Sequence, residues 1–267
     1  MSAAVTPPMV APQDRAALGA ILGLAGKTAL VTGAGTGIGR QVALGLAEMG
    51  MSVVGVGRRR EVLDQLESDA AAAGLTVVGM TANVVDGASI TAAVDATVER
   101  FGGIDAVVAN AGVAVVEPAI GMAEADFRSV IDTNITGVFN TARAAAVKMT
   151  NGGSMVLTSS SFARSGFANW APYNASKAAV SMLTETLATE WATSGIRVNA
   201  IAPTATLTDV NAELFADEAF AASVVAGIPA GRILQAQELV LPTAFLLSPL
   251  NAMLIGHTLY VDGGQSL

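Results

Sequence analysis

The sequence predicts an α/β fold, a doubly wound parallel sheet of about seven strands with helices on both faces. Three observations lead to this prediction. Short apolar β-type runs alternate with helical patterns along most of the chain. A glycine-rich loop, Gly33–Gly39, separates the first apolar run from the first long helical pattern. Polar groups directly follow several of the runs, at the sheet edge where such folds bind ligands.

The elements follow in order along one continuous domain, because no internal repeat or linker divides them. The predicted strands are residues 27–32, 52–57, 75–80, 104–109, 155–159, 196–202 and 258–261. The predicted helices run from Gly39 to about Met49, and over residues 59–73, 88–101, 124–149, 173–193 and 238–247.

The domain is predicted to span residues 23–267, with a looser segment over residues 204–229 that would act as a lid on the substrate. Residues 1–22 have no basic start and no long apolar centre, so we expect a loosely held extension rather than a secretory signal. Residues 239–256 carry no charge and approach transmembrane length. Pro242 and Pro249 interrupt them, which favours a buried helix followed by a loop.

Composition excludes several function classes. The chain has 267 residues, 52% of them hydrophobic and only 13% charged, with a net charge of −8. That balance argues against nucleic-acid and membrane partners and favours a small-molecule substrate. With no cysteine and one histidine, thiol chemistry is excluded and no metal site is predicted, while the redox compartment stays unmarked. The expected location is the cytoplasm.

Residues Gly33–Gly39 read Gly-Ala-Gly-Thr-Gly-Ile-Gly between a strand and a helix. Glycines in that context permit a tight turn and close backbone approach to a pyrophosphate at the helix N-terminus. A plain glycine turn is the alternative, and the two correct flanks favour phosphate binding.

Tyr173 and Lys177 are four residues apart, so they share one face of the predicted helix. A nearby ammonium favours phenolate over phenol, so Lys177 should lower the pKa of Tyr173 from its usual value of about 10. Such a tyrosine is suited to acid–base catalysis near neutral pH.

Taken together, these motifs resemble those of the short-chain dehydrogenase/reductase family, from about Leu24 to the end of the chain. The matching pieces, in order, are Thr32-Gly-xxx-Gly-x-Gly39, Asn110-Ala-Gly112, Asn134, Ser160 thirteen residues before Tyr173, Tyr173-xxx-Lys177 and Val261-Asp-Gly-Gly264. The resemblance implies a Rossmann-like fold, nicotinamide-dependent hydride transfer between an alcohol and a carbonyl, and a homotetramer or homodimer.

The resemblance also implies roles for particular residues. Tyr173 would be the general acid or base, Lys177 would lower its pKa and hold the nicotinamide ribose, and Ser160 would donate to the substrate oxygen. Asn134 would hold a water linking Lys177 to solvent. The expected cofactor-binding residues are Gly33, Thr36, Gly37, Ile38, Gly39, Arg58, Arg59, Asn83, Val84, Asn110, Gly112, Tyr173, Lys177, Pro203, Thr206 and Thr208.

Departures from the family pattern bear on the cofactor. Gly57 stands where NAD-preferring relatives have an aspartate that bonds the ribose, and Arg58 and Arg59 follow it. Arginine suits a 2′-phosphate, so we expect NADP(H) to be preferred and NAD(H) to remain possible. Thr36 argues the other way, because NADP-dependent relatives often place a basic residue there. Asn83 replaces an aspartate beside the adenine, and Thr204 replaces a glycine beside the nicotinamide.

The predicted substrate side includes Ser160 and three aromatic residues, Phe162, Phe167 and Trp170, although the aromatics would equally suit a core. Residues 204–226 contain acidic but no basic side chains, which disfavours a strongly anionic substrate. We therefore expect a small to medium neutral ketone, cyclic alcohol or sugar-like polyol. The alternatives are a 3-oxoacyl reductase of fatty-acid synthesis and a non-catalytic dinucleotide-binding sensor.

Overall fold

The computed structural model describes residues 12–209 and 211–267. Seven parallel strands form one sheet in the order β3-β2-β1-β4-β5-β6-β9, which confirms the predicted doubly wound architecture. These strands are β1 Thr28–Thr32, β2 Ser52–Gly57, β3 Val77–Thr81, β4 Ala106–Ala109, β5 Gly153–Thr158, β6 Ile196–Pro203 and β9 Thr258–Val261. Two short strands, β7 Thr206–Leu207 and β8 Leu234–Gln235, form a separate parallel pair.

Helices cover both faces of the seven-stranded sheet. The described helices are α1 Pro12–Ile21, α2 Gly37–Glu48, α3 Arg60–Ala72, α4 Gly87–Phe101, α5 Glu124–Ile131, α6 Gly137–Lys148, α7 Ala171–Trp191, α8 Ala212–Phe215, α9 Glu218–Val225 and α10 Val240–Leu247.

Two apolar cores lie on opposite faces of this sheet because successive side chains of a strand point to opposite sides. Ala29 and Val31 of β1 belong to the core beneath α2 and α10, whereas Leu30 belongs to the core beneath α4, α6 and α7. Strands buried on both faces read as continuous apolar runs, which explains why they were recognisable in the sequence.

The amino-terminal prediction fails for residues 12–22. Helix α1 packs on α2, where Arg15 pairs with Glu48 and Gly19 lies against the backbone of Met49. The hydroxyl of Ser248 also donates to the carbonyl of Leu22 at 2.7 Å. These contacts join residues distant in sequence, so local composition could not reveal them. The rest of the predicted extension, residues 1–11, lies outside the described residues.

Two other segments refine the prediction. The helix expected over residues 124–149 is interrupted by a π-helical turn, Asp132–Thr136, between α5 and α6. Residues 239–256 form the eight-residue helix α10 and then a 3₁₀ turn, as expected for a buried helix and a loop. Among the described helices, none has both the length and the apolar character needed to cross a bilayer.

The order of the strands reverses between β1 and β4, and this is where open α/β sheets bind their ligands. The Gly33–Gly39 loop follows β1, and Asn110–Gly112 follows β4. The amide of Asn110 donates to the carbonyl of Thr32 at 3.2 Å, and its backbone N–H donates to the Thr32 hydroxyl at 3.1 Å. Asn110 thus fixes the two loops against each other at the switch point.

Candidate active site

Three consecutive serines follow β5, and the structure gives each a different environment. The hydroxyl of Ser159 lies 2.9 Å from the backbone carbonyl of Lys177, which ties the strand end to α7. The hydroxyl of Ser161 donates to Gln265 Oε1 at 2.7 Å. Ser160 lies between them, and its hydroxyl accepts from the Phe162 N–H at 3.2 Å. Of the three, only Ser160 is hydrogen-bonded to the phenol of Tyr173.

Tyr173 lies in the first turn of α7, which begins at Ala171 rather than at the predicted Tyr173. Pro172 occupies the first turn, where its missing N–H leaves no intrahelical bond unmade. The ring of Tyr173 is half-buried between two aromatic rings. Its centroid lies 5.4 Å from Trp170 and 6.0 Å from Phe162, both in edge-on geometry.

Phe162, Phe167 and Trp170 form one aromatic cluster around Tyr173. Phe162 stacks on Phe167 at 3.9 Å between centroids, with 17° between the ring planes. Trp170 meets Phe162 edge-on at 5.3 Å. All three residues are half-buried rather than enclosed in either core. They form an apolar wall beside the phenol.

The pKa of Tyr173 departs from the sequence-based expectation. Burial raises the pKa of its phenol above the ordinary value of 10.0, and the hydrogen bond with Ser160 opposes that rise only in part. The pKa of Tyr173 in this structure is therefore raised overall, not lowered as predicted, because burial is the largest cause of its shift. At neutral pH the phenol keeps its proton, which is the form required of a proton donor.

Lys177 is almost completely buried, at 4% exposure, because it lies one helical turn after Tyr173 on the inner face of α7. Burial lowers the pKa of its ammonium from 10.5 to about 8. Its Nζ donates to the carbonyl of Thr158 at 2.7 Å and lies 5.5 Å from the centroid of the Tyr173 ring. The ammonium thus sits at the end of β5, beside the phenol but not directed at its oxygen.

Asn134 lies fully buried within the π-helical turn. Its Oδ1 accepts from the Val113 N–H at 2.8 Å, and its Nδ2 donates to the Val113 carbonyl at 3.0 Å. Nδ2 also lies 3.0 Å from the hydroxyl of Ser176 on α7. Asn134 therefore joins the segment after β4 to the helix that carries Tyr173 and Lys177. Single π turns in helices are often found at functional sites.

A cavity of about 450 Å³ opens at the switch point between β1 and β4. Most of the lining residues come from the ends of β1 to β4 and the segments after them, and Val62 of α3, Thr133 of the π-helical turn and Thr208 after β7 complete the wall. The lining residues are Gly33, Gly35, Thr36, Ile38, Val56, Gly57, Arg58, Arg59, Val62, Ala82, Asn83, Val84, Asn110, Ala111, Gly112, Val113, Thr133 and Thr208. Its Gly112 end borders Lys177, because a Cβ built on Gly112 would lie 3.7 Å from Lys177 Nζ.

The wall of this cavity fits a dinucleotide. Helix α2 begins at Gly37 with no side chain capping its N-terminus, and no acidic residue lies in its first turn. In contrast, Asp86 caps α4 and Asp217 caps α9. Free N–H groups at a helix start attract a phosphate, so α2 is suited to hold a pyrophosphate.

The three arginines after β2 differ in the ion pairs that they form. Arg60 pairs with Asp64 and Glu67 and donates to the carbonyl of Gly79 at 2.7 Å. Arg58 and Arg59 are exposed at the cavity rim, and neither forms an ion pair with any other described residue. They are therefore the guanidinium groups available to a ligand.

Comparison with known proteins identifies the family. A family model described as enoyl-(acyl carrier protein) reductase matches residues 33–266. The chain is 38% identical to the 2-dehydro-3-deoxy-D-gluconate 5-dehydrogenase of Escherichia coli over 248 residues, 90% of this chain and 96% of the relative. It is also 38% identical to 3beta-hydroxysteroid dehydrogenase 1 of Eggerthella lenta over 252 residues, 91% and 95% of the two chains.

A further relative and a solved structure are similar over nearly the whole chain. The 3-oxoacyl-[acyl-carrier-protein] reductase FabG of Vibrio cholerae is 36% identical over 246 residues, 91% of this chain and 99% of the relative. A crystal structure of gluconate 5-dehydrogenase from Burkholderia cenocepacia, in complex with NADP and tartrate, superposes with a TM-score of 0.86. It is 35% identical, and the match covers 91% of this chain and 96% of that one.

The chain belongs to the short-chain dehydrogenase/reductase family. Its membership confirms the predicted reaction class, NAD(P)-dependent oxidoreduction between a CH–OH and a C=O group. Within this dehydrogenase, ten of the sixteen residues predicted to bind cofactor line the cavity: Gly33, Thr36, Ile38, Arg58, Arg59, Asn83, Val84, Asn110, Gly112 and Thr208.

The other six lie around the cavity rather than on its wall. Tyr173 and Lys177 belong to the catalytic cluster, and Pro203 ends β6 beside Ser160. The Thr206 hydroxyl donates to the Thr204 carbonyl at 2.8 Å, so its proton is already used within the chain.

Two of the predicted glycines, Gly37 and Gly39, lie where a side chain would meet close neighbours. A Cβ on Gly37 would lie 3.3 Å from the Thr208 side chain, and one on Gly39 would lie 2.2 Å from the Gly33 carbonyl oxygen.

The segment predicted to act as a lid contains α8 and α9, whose Phe215 and Phe220 rings lie 5.5 Å apart. Sequence reasoning did not assign several residues near the site, including Gly35, Thr133 and Gln265. Gly35 and Thr133 line the cavity, and each adjoins a residue that was identified. Gln265 contacts two hydroxyls of the catalytic region, and its only signal in the sequence is its place directly after Gly264.

Proposed function

We propose that the protein is an NADP(H)-preferring dehydrogenase that interconverts a secondary alcohol and a ketone on a small to medium, neutral, sugar-like or cyclic substrate. The observation that carries this proposal is the convergence of Ser160, Tyr173 and Lys177 beside the cavity at the switch point between β1 and β4.

Each catalytic residue has one task in the proposed mechanism. A bound nicotinamide would supply or accept the hydride. Ser160 holds the substrate oxygen by donating a hydrogen bond where negative charge grows. Tyr173 gives its proton to that oxygen in reduction and removes a proton from it in oxidation. The arrangement is supported by the Ser160–Tyr173 hydrogen bond and by the protonated phenol.

Lys177 and Asn134 support the tyrosine. The Lys177 ammonium places a positive charge beside the phenol, which stabilises the phenolate left after proton donation. Its position next to Gly112 also suits contact with the nicotinamide ribose. Asn134 fixes the position of Val113 relative to α7 through its hydrogen bonds to both. It would also order a water between Lys177 and solvent.

The cofactor preference rests on Arg58 and Arg59. Both guanidiniums are exposed at the rim without described acidic partners, and Gly57 leaves no carboxylate to repel a 2′-phosphate. The NADP complex of the Burkholderia cenocepacia relative supports the same preference.

Replacing Arg58 and Arg59 together with alanine should raise the Michaelis constant for NADPH about tenfold or more and leave that for NADH nearly unchanged, since charge-assisted hydrogen bonds to the phosphate are lost. Steady-state kinetics with both cofactors measures this difference. Arg60→Ala is the matched control, because Arg60 is already committed to Asp64, Glu67 and Gly79. An equal loss with NADH and NADPH would contradict the assignment.

The substrate class is inferred from the walls of the cleft. The aromatic cluster of Phe162, Phe167 and Trp170 offers a flat apolar surface beside Tyr173. The described part of the lid, residues 204–209 and 211–229, has no lysine or arginine. The names of the gluconate and steroid dehydrogenase relatives support sugar-like and cyclic substrates. A 3-oxoacyl reductase is the second candidate because of the FabG relative, but the acidic lid disfavours a carrier-bound thioester.

A panel of hydroxylated ketones, cyclic ketones, polyols and acyl thioesters, followed by NADPH absorbance, tests this proposal. We expect turnover with neutral hydroxylated or cyclic substrates. A clear preference for acyl-carrier thioesters would instead support the 3-oxoacyl reductase. NADPH binding without turnover of any member would support the sensor alternative, which the presence of both Tyr173 and Lys177 disfavours.

We also propose a cytoplasmic homotetramer, with α5, α6 and α7 contributing to its interfaces. The support is a set of apolar side chains that these helices leave exposed in the single chain: Phe127, Phe139, Val147 and Met182. Of the alanines that would suit such contacts, Ala142, Ala144 and Ala145 instead face the core of this chain. Light scattering coupled to gel filtration measures the assembly, and a monomeric mass would refute the tetramer.

A further inference from the structure

The last turn of the chain is rigidly held by Asp262, which is itself 6% exposed. Its carboxylate accepts from the Gly264 N–H at 3.0 Å and from the Ser266 N–H at 2.9 Å. The backbone N–H of Gln265 donates to the Asp262 carbonyl at 3.1 Å. The backbone of Gln265 is therefore fixed at the end of β9 rather than left as a loose terminus.

The amide oxygen of Gln265 connects two segments of the catalytic region. Oε1 accepts from the hydroxyl of Ser161 at 2.7 Å and from the hydroxyl of Thr204 at 2.7 Å. Both hydroxyl residues are buried. Ser161 directly follows Ser160, and Thr204 follows Pro203, whose carbonyl lies 3.5 Å from the Ser160 hydroxyl. One side-chain oxygen thus ties the two chain segments on either side of Ser160.

The amide nitrogen of Gln265 is left for another partner. With Oε1 engaged by both hydroxyls, Nε2 carries two N–H donors, and no described residue accepts from it. Gln265 is half-buried, and Nε2 lies 3.8 Å from the position that a Cβ on Gly227 would take. Gly227 belongs to the segment predicted as a lid, so the amide of Gln265 lies between that segment and Ser161.

We propose that Gln265 is a positioning and specificity residue of this dehydrogenase. Its Oε1 holds Ser161 and Thr204, and through them it positions Ser160. Its Nε2 donates to an oxygen of the substrate other than the reacting one, which selects ketones that carry a neighbouring hydroxyl. Thr204, which stands where the family has glycine, takes part in this selection because its hydroxyl orients the amide. The substrate part of this inference rests on the proposed function.

The test compares the Gln265→Met variant with wild type on a hydroxylated ketone and on an unsubstituted cyclic ketone. Methionine has similar volume but offers neither the acceptor nor the donor. For the hydroxylated ketone we expect KM to rise about tenfold, the equivalent of one lost hydrogen bond. KM for NADPH should stay within about twofold, and the unsubstituted ketone should lose kcat but little KM.

Two further variants make the comparison specific. Gln65→Met is the matched control, because Gln65 is an exposed residue of α3 that bonds only Asp69. Thr204→Val removes the hydroxyl that orients the amide, so its effect and that of Gln265→Met should be less than additive in the double variant. Full additivity, or an unchanged KM for the hydroxylated ketone in an active variant, would overturn the proposed selection.

Hydrogen exchange tests the positioning role without any turnover. The N–H groups of Ala163 and Arg164 close the 3₁₀ turn after Ser160 at 3.0 and 3.3 Å. In Gln265→Met these amides should exchange faster than in wild type, because the Ser161 anchor is lost. If wild type turns over no ketone, the proposed function fails, and exchange still decides the positioning role. Unchanged exchange at both amides would overturn it.

Discussion

Replacing Tyr173 with phenylalanine should lower kcat for ketone reduction about a thousandfold, since general acid catalysis contributes on the order of 10²–10⁴. The phenylalanine ring keeps the edge-on contacts with Phe162 and Trp170, so the fold and the cofactor cavity should remain intact. The dissociation constant for NADPH should therefore change by less than about threefold, because Tyr173 lies outside the wall of the cavity.

Tyr260→Phe is the matched control, because Tyr260 is the second of the two tyrosines in the chain. It lies on β9 beneath Arg164, whose guanidinium carbon is 4.7 Å from its ring centroid. Turnover by this variant should stay close to wild type. Activity near wild type in Tyr173→Phe would remove Tyr173 from the mechanism. Stopped-flow reduction together with fluorescence titration of NADPH separates the loss of catalysis from a loss of binding.

Replacing Lys177 with methionine should lower kcat by about two to three orders of magnitude, since the charge that stabilises the phenolate is lost. The Michaelis constant for NADPH should rise in addition, because Lys177 Nζ adjoins Gly112 at the end of the cofactor cavity. This combined change distinguishes Lys177 from Tyr173, whose replacement should affect kcat alone. A kcat unchanged from wild type would contradict the assignment.

The same variant should change how stability depends on pH. Burial lowers the pKa of Lys177 to about 8 in the folded protein, from 10.5. The unfolded chain therefore binds more protons between these values, and the unfolding free energy of the cofactor-free protein should rise with pH across that window. The rise amounts to on the order of 3 kcal/mol, since each pKa unit corresponds to about 1.4 kcal/mol.

In Lys177→Met this contribution to the pH dependence should disappear. Lys148→Met should keep it, because Lys148 lies on the surface and pairs with Asp95 at 2.6 Å. Urea unfolding at pH 7.5 and pH 10, near the two ends of the window, measures the difference in each variant. If the unfolding free energy rose equally with pH in wild type and Lys177→Met, burial would not be lowering the pKa of Lys177.

The sheet was predictable because its inner strands, such as β1, β4 and β6, are buried on both faces. Strands β2 and β9 begin and end at the residues that the sequence indicated. Helix boundaries were less accurate. The amino end of α7 depends on Pro172, which was read as preceding the helix although it occupies the first turn. The π-helical turn around Asn134 went unnoticed because it spans only five residues between two α-helices.

The chemistry of the site was predictable from spacing, but its electrostatics were not. Four-residue spacing placed Lys177 beside Tyr173, as the structure has it. Spacing cannot show that the ammonium donates to the Thr158 carbonyl, nor that burial raises the pKa of the phenol. Gln265 was missed for a related reason. Its contacts with Ser161 and Thr204 join residues 104 and 61 positions away, which no local pattern reveals.

Isotope labelling of the transferred hydride tests most directly whether Tyr173 assists hydride transfer from the nicotinamide. The wild-type enzyme would be given NADPH deuterated at the transferable position of the nicotinamide together with a hydroxylated ketone. We expect deuterium on the carbinol carbon of the alcohol product, formed by wild type and almost not at all by Tyr173→Phe. An unlabelled alcohol, or equal labelling by the two proteins, would contradict hydride transfer assisted by Tyr173.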